Sequence, residues 1–305
     1  MMQIFHEPNY QFISRRYIGF IFSGLLTLIT IVTLIAHKGL RYSVDFKGGT
    51  LLEINFTSPI KTDELRAAFN NLAYGNVSIQ QLSGGYDFII RFETKGMSVS
   101  TDTTSNQVMQ MLQSQIPNNQ AKLVRIEMVG PRVGKELQKN ALISVLIGMV
   151  LILFYVAIRF DFRFGTAAVI ALTHDVFSTI GFVSITNTEF SVSIIAVLLT
   201  IIGFSVNNSI VIADRVRENK RKMLKDDLPT IINHSINQTL SRTVLTSFTV
   251  FMVAIILYFL GAASIKDFAK AMSFGIAIGT YSSIFVGAPI VAEFEKWMPS
   301  RRRRK

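Results

Sequence analysis

The sequence predicts a polytopic α-helical membrane protein: six transmembrane helices, with one α+β domain inserted between helices 1 and 2 on the exoplasmic side. Three observations carry this. Half of the 305 residues are hydrophobic, only 17% are charged, and the apolar residues come in blocks. A bilayer core of roughly 30 Å needs about 20 helical residues to cross it, and six blocks reach that length nearly free of charge. Lysines and arginines crowd on alternate flanks of those blocks, and the long segment 38–139 alternates strand and helix periods.

The spans read as 17–36, 140–158, 165–185, 190–213, 239–261 and 268–292. The first follows Arg15 and Arg16 and ends at His37-Lys38 without a small-x-small cleavage site, so an uncleaved helix is expected rather than a signal peptide. Orientation follows from the basic residues in the short flanks. One side carries Arg15, Arg16, Arg159, Arg163, the cluster Arg215, Arg217, Lys220, Arg221, Lys222 and Lys225, and the basic tail 293–305. The opposite short loops, 186–189 and 262–267, hold only Lys266. Segment 1–37 is therefore expected to enter from the cytoplasm, the loop 214–238 and the tail to lie there, and 38–139 to lie outside. The formal charge of +11 sits beside the apolar blocks, where it sets topology, so no nucleic acid partner is expected. The chain has no cysteine, which excludes disulfides, thiolate metal sites and cysteine nucleophiles.

Within the outer segment, 50–57 (TLLEINFT) has the period of a strand and 61–72 (KTDELRAAFNNL) that of an amphipathic helix. Strands 77–82 and 87–93 flank the turn Ser83-Gly84-Gly85, 101–115 reads as a second helix, and 122–129 as a last strand. The order β-α-β-β-α-β is the ferredoxin-like arrangement. Nothing in it forms a catalytic constellation, and binding or coupling is the expected role.

Ionisable and polar groups at membrane depth are functional candidates because burying them in hydrocarbon costs at least a few kcal/mol. The third span carries His174-Asp175. For Asp175 a structural hydrogen bond to a neighbouring Ser or Thr and a functional role stand level; for His174 the structural reading is preferred. The fourth span carries Ser205, Asn207, Asn208 and Ser209, and the fifth Gln238, Ser241, Arg242, Thr243, Thr246 and Ser247, two clusters expected to face each other at similar depth. Arg242 cannot deprotonate, and its hydroxyl and amide neighbours favour an inward-facing guanidinium over one that snorkels to the interface. In the sixth span Gly275, Gly279, Ser282, Ser283 and Gly287 recur at helical spacing, as in close helix packing. Segment 214–219 leaves the membrane as a charged helix extension, interrupted at Asp226-Asp227-Leu228-Pro229. There is no P-loop and no HExxH motif, so the chain is not expected to be an enzyme or to hydrolyse ATP.

Several segments together resemble one family. Asp45-Phe46-Lys47-Gly48-Gly49-Thr50 is similar to the DFxGGT motif that follows the first helix of SecF, and Val129-Gly130-Pro131-Arg132-Val133-Gly134-Lys135-Glu136-Leu137 to its VGPxVGxEL element. The loop 159–164 (RFDFRF), His174-Asp175-Val176, 207–219 (NNSIVIADRVREN), 237–243 (NQTLSRT) and 279–285 (GTYSSIF) continue the match in order. The resemblance implies a subunit of the SecD–SecF complex, of the resistance-nodulation-division superfamily, in the bacterial cytoplasmic (inner) membrane. It implies a SecD-like partner, the SecYEG channel, YajC among the accessory proteins, and an unfolded preprotein as cargo. Its energy source would be the proton-motive force or sodium, with no cofactor beyond that coupling ion. One charge crossing 100 mV supplies about 2.3 kcal/mol, which intramembrane polar residues could convert into motion of the outer domain.

The ion-relay candidates are then Asp175, Ser205, Asn207, Asn208, Arg242 and Thr246. The structural or coupling motif comprises Asp45, Phe46, Gly48, Gly49, Gly130, Pro131 and Gly134, with Asp45 as a capping residue of a glycine-permitted turn. Gly275, Gly279 and Ser283 are the helix-packing positions. One departure stands out: where the family reads close to S-L-N-D-T, this chain reads Ser205-Val206-Asn207-Asn208-Ser209. An amide cannot cycle a proton, so either Asp175 and the partner carry the coupling, or the ion is sodium. A non-energised scaffold and a small-molecule or lipid exporter of the same superfamily are the competing readings; the latter usually needs both six-helix halves in one chain.

Overall fold

Helix α1 (Arg16–Ala36) opens the chain, and its unbroken apolar run leaves most of its surface exposed. The computed structural model describes residues 8–70, 77–92, 101–117, 119–160 and 162–297. Among the described residues, six helices are long and apolar enough to cross a membrane: α1, α5 (Pro131–Arg159), α6 (Phe162–Ile185), α7 (Val192–Lys222), α8 (Leu228–Leu260), and a sixth span over Ile265–Glu295. Two compact units separate: the described residues up to Arg41 together with those from Leu142 onward, and Tyr42–Ala141.

In the second unit a short helix α2 (Val44–Lys47) precedes β1 (Gly49–Phe56), α3 (Thr62–Asn70), β2 (Ser78–Ser83), β3 (Asp87–Phe92), α4 (Thr101–Gln115) and β4 (Ala121–Val129). The antiparallel sheet runs β2-β3-β1-β4, the order expected of the ferredoxin-like arrangement. Period-2 alternation decides its faces: Leu52, Ile54, Phe56, Phe88, Ile90 and Phe92 point into one core with Leu65 and Phe69 of α3 and Val108 and Leu112 of α4. On the opposite face Val44 of α2 packs with Leu51 and Ile89. The expected turn forms at Gly84 and Gly85, with φ of 51° and 84°. Residues 71–72 and 93, and the basic tail from 298 onward, lie outside the described residues.

The bundle is most buried along α6, α7 and the sixth span, while α1, α5 and α8 are largely exposed. Two expectations need correction. The charged helix extension expected at 214–219 forms, but the loop is far shorter than 214–238: α7 continues to Lys222 and α8 begins at Leu228, with Asp227 accepting from the Thr230 N–H as N-cap. Arg215 donates to Glu218 at 2.6 Å and Lys222 to Glu218 at 2.5 Å, pairs that suit a helix beyond the apolar block. The sixth span is not one regular helix. Helix α9 (Ala263–Ser282) passes through a π turn at Ser283–Gly287 into α10 (Ala288–Trp297). Ion pairs Arg16–Glu293, Arg163–Glu295 and Arg159–Asp214 gather at the basic end.

A candidate intramembrane polar site and a glycine-rich motif

Asp175 lies on the buried face of α6, and its side chain has no solvent exposure. Three helices supply its partners. Ser205 of α7 donates to Oδ2 at 2.6 Å, Ser282 at the end of α9 donates to the same oxygen at 2.7 Å, and the Nδ1 of neighbouring His174 lies 3.1 Å from Oδ1. Thr179 donates to the Asp175 carbonyl at 2.8 Å. A carboxyl is tolerable at this depth because its oxygens are met by hydrogen-bond partners.

The close approach is made by glycines, as expected for Gly275 and Gly279. A Cβ at Gly279 would stand 3.3 Å from the Ser205 Cβ and 3.7 Å from Asp175 Oδ2, and one at Gly275 only 1.8 Å from Ile201 Cδ1. Ser283 is buried but donates to the Thr280 carbonyl at 2.9 Å rather than to the site. Asn208 is buried one turn along α7 from Ser205, and its amide nitrogen has no hydrogen-bond partner among the described residues. The Nε2 of His174 and the hydroxyls of Ser178 and Thr243 share that condition.

The expected relay set thus divides. Asp175, Ser205 and Asn208 are interior, whereas Asn207, Arg242 and Thr246 are exposed on the outside of this chain. The inward-facing Arg242 is therefore corrected: its guanidinium has no ion-pair partner among the described residues, and Thr246 bonds back to the Arg242 carbonyl at 2.9 Å. What faces inward on α8 is Thr239, Thr243 and Ser247, the last accepting from Thr280 at 2.8 Å. Ser282 and His174 were undervalued by the sequence reading; the Gly275–Gly279 spacing continued by one turn points at Ser282.

The glycine-rich motif has a structural logic of its own. Ser43, not Asp45, is the N-cap of α2, accepting from the Asp45 N–H at 3.3 Å. Phe46 is buried, and the chain turns out through Gly48 and Gly49 at φ of 79° and 136°, which favour glycine. Its carbonyl accepts from Gln138 of α5 at 3.2 Å, and a Cβ at Gly134 would stand 2.6 Å from it. Pro131 opens α5 at a position where no N–H is needed, while a Cβ at Gly130 would meet open space. The two expected motifs are one packing unit.

Six apolar helices, three of which meet at a buried carboxyl held by hydroxyls, with a small sheet domain after the first helix, define a membrane transport subunit. Family models agree: "Protein export membrane protein SecD/SecF, C-terminal" matches residues 107–297, and "SecD/SecF GG Motif" matches 33–60. The chain is 38% identical to the protein translocase subunit SecF of Calditerrivibrio nitroreducens over 288 residues, covering 94% of each chain. It is 38% identical to that of Vibrio alginolyticus, over 93% of this chain and 89% of the relative. Against the crystal structure of SecDF, a translocon-associated membrane protein from Thermus thermophilus, the TM-score is 0.85 at 36% identity. That match covers 95% of this chain but 39% of the SecDF chain. The chain belongs to the SecF family of protein translocase subunits.

Proposed function

We propose that this chain is the SecF half of a SecD–SecF complex that assists export of unfolded preproteins through the SecYEG channel, using a proton or sodium gradient. The observation that carries the coupling role is Asp175, an acid held by α6, α7 and α9 at once. A change in its charge alters hydrogen bonds on three helices, which is how a local electrostatic event can bias a bistable bundle. The exposed polar stripe of Asn207, Arg242 and Thr246 supports a membrane partner, since a guanidinium facing lipid would be costly. A SecD-like subunit fits there, and the solved SecDF chain has room for one beyond the 39% that this chain matches. YajC and other accessory proteins belong to the same proposal. The basic end is assigned to the cytoplasm and the sheet domain to the outside of the inner membrane.

Asn208 favours a second reading, a non-energised scaffold, because an amide stands where the family carries an acid. Export into inverted vesicles separates the two. With the partner present, Asp175→Asn abolishes gradient-dependent stimulation of preprotein export while the complex still copurifies. Undiminished stimulation, under both proton and sodium gradients, would sink the coupling role of this chain.

A further inference from the structure

At the basic end, the directions of successive hydrogen bonds determine the protonation of a histidine. The Ser235 hydroxyl lies 2.7 Å from the Ile231 carbonyl, which can only accept, so Ser235 donates its one proton there. Its oxygen must then accept from Asn219 of α7, at 2.9 Å, which places the NH2 of Asn219 on that side. The same NH2 donates to Gln238 Oε1 at 2.9 Å. Arg215 Nε, which is always a donor, reaches that oxygen at 2.7 Å and fixes the Gln238 amide independently. The NH2 of Gln238 is thereby committed to the other side, 2.7 Å from His234 Nε2. That nitrogen must carry a lone pair.

From this we infer that His234 is a pH-sensitive latch between the ends of α7 and α8. In the closed state its imidazole is neutral with the proton on Nδ1. Proton uptake at Nε2 sets two donors against each other. Gln238 answers the clash by turning its amide, which takes Oε1 away from Arg215 and Asn219 and removes two of the three side-chain hydrogen bonds just traced between α8 and α7, the buried Asn219–Ser235 bond remaining. Histidine is the side chain whose charge ordinarily changes between about pH 5 and 8.

The surroundings of His234 include few charges. Arg215 of α7 lines the same recess, backed by Glu218 and Lys222, while Asn9 and Gln11 of the N-terminal segment and Asn233 and Asn237 of α8 are neutral. A second clamp on the same stretch of α8 contains no titratable group. Asn237 exchanges hydrogen bonds with the Tyr10 backbone at 2.8 and 2.9 Å, and Asn233 accepts from the Ile13 N–H at 3.2 Å. Acid therefore loosens the polar edge of the α7–α8 seam, while the apolar cluster of Val216 with Ile232 and Ile236 and the attachment of the N-terminal segment stay in place. Gln238, the partner of His234, lies one turn from Arg242 on α8, so its release loosens the helix that carries that residue. The inference rests on hydrogen-bond direction and stands whether or not the export reading does.

The test uses the full chain in lipid nanodiscs. Histidine-labelled nitrogen NMR at about pH 8 reads the tautomer, and His234→Gln assigns the signal among the four histidines by its loss. The expected result is a bare Nε2 and a protonated Nδ1; a protonated Nε2 overturns the latch. In parallel, spin labels are attached at Arg217→Cys and Thr230→Cys, in a chain with no native cysteine. Their distance distribution is expected to be narrow at about pH 8 and to broaden at about pH 5. It should stay narrow at both in His234→Gln, whose carbonyl accepts from Gln238 without titrating. No broadening in the parent chain, or broadening at about pH 5 that persists in His234→Gln, also overturns it.

Discussion

Gly134 is seated against the carbonyl of Phe46, so closely that a Cβ at 134 would stand 2.6 Å from that oxygen. The contact joins the DFKGG turn to the start of α5 and gives both glycine-rich motifs a steric reason to exist. Gly134→Ala should overpack this seam and cost about 1–3 kcal/mol. Gly130→Ala, which meets open space, should stay within about 0.5 kcal/mol. Denaturant unfolding of the outer domain within the full chain reads the difference, and equal effects would contradict the packing argument.

The site around Asp175 predicts a contrast between neighbours on one helix. Ser205→Ala removes a donor from a buried carboxyl and should cost about 1–3 kcal/mol. Asn208→Leu replaces an amide whose nitrogen has no hydrogen-bond partner among the described residues with an apolar side chain of similar size, and should be neutral or stabilising. Thermal unfolding of the two variants in the same detergent is sufficient. A more damaging Asn208→Leu would mean that the amide is held by something in the native bundle.

Arg242 is exposed on this chain, so its role is expected outside it. Arg242→Ala should leave the stability of the isolated chain within about 0.5 kcal/mol, yet abolish export stimulation in vesicles containing the SecD-like partner, with assembly intact. A large loss of stability in the isolated chain would restore the inward-facing reading.

Gly275 and Ile201 offer a coupling measurement. A Cβ at 275 would fall 1.8 Å from Ile201 Cδ1, so Gly275→Ala should destabilise by about 1–3 kcal/mol. Ile201→Val removes that methyl, and the double variant should be more stable than the sum of the single effects by roughly 0.5 kcal/mol or more. Strict additivity would place the two helices further apart than described.

The spans and the sheet order were legible because their signals are strong and local: long apolar blocks in one case, period-2 alternation around Gly84-Gly85 in the other. The charged extension of α7 past 214 and its break at 226–229 were legible as well, but the start of α8 at Leu228, eleven residues before its apolar block, was not, because the polar residues of 230–238 do not carry an apolar period. Arg242 was misplaced for a related reason. A stripe of hydroxyls and amides looks the same whether it lines a chain's interior or faces another subunit. Asp175 was legible as a candidate, and the Gly275–Gly279 spacing leads on to Ser282 and Ser283 alike; which of the two hydroxyls meets the carboxyl is decided where α9 gives way to the π turn, and it is Ser282.

That turn also determines how the residues beyond it are counted. A π turn holds one residue more than the α-helical turn it replaces. Relaxing Ser283–Gly287 to α geometry would rotate all of α10 by about 100° and shift it about 1.5 Å along its axis. Glu293 and Glu295 would then leave Arg16 and Arg163. The two ion pairs at the basic end thus act as a register lock. They hold the extra residue in place, and with it the face that α10 turns toward Arg16 and Arg163.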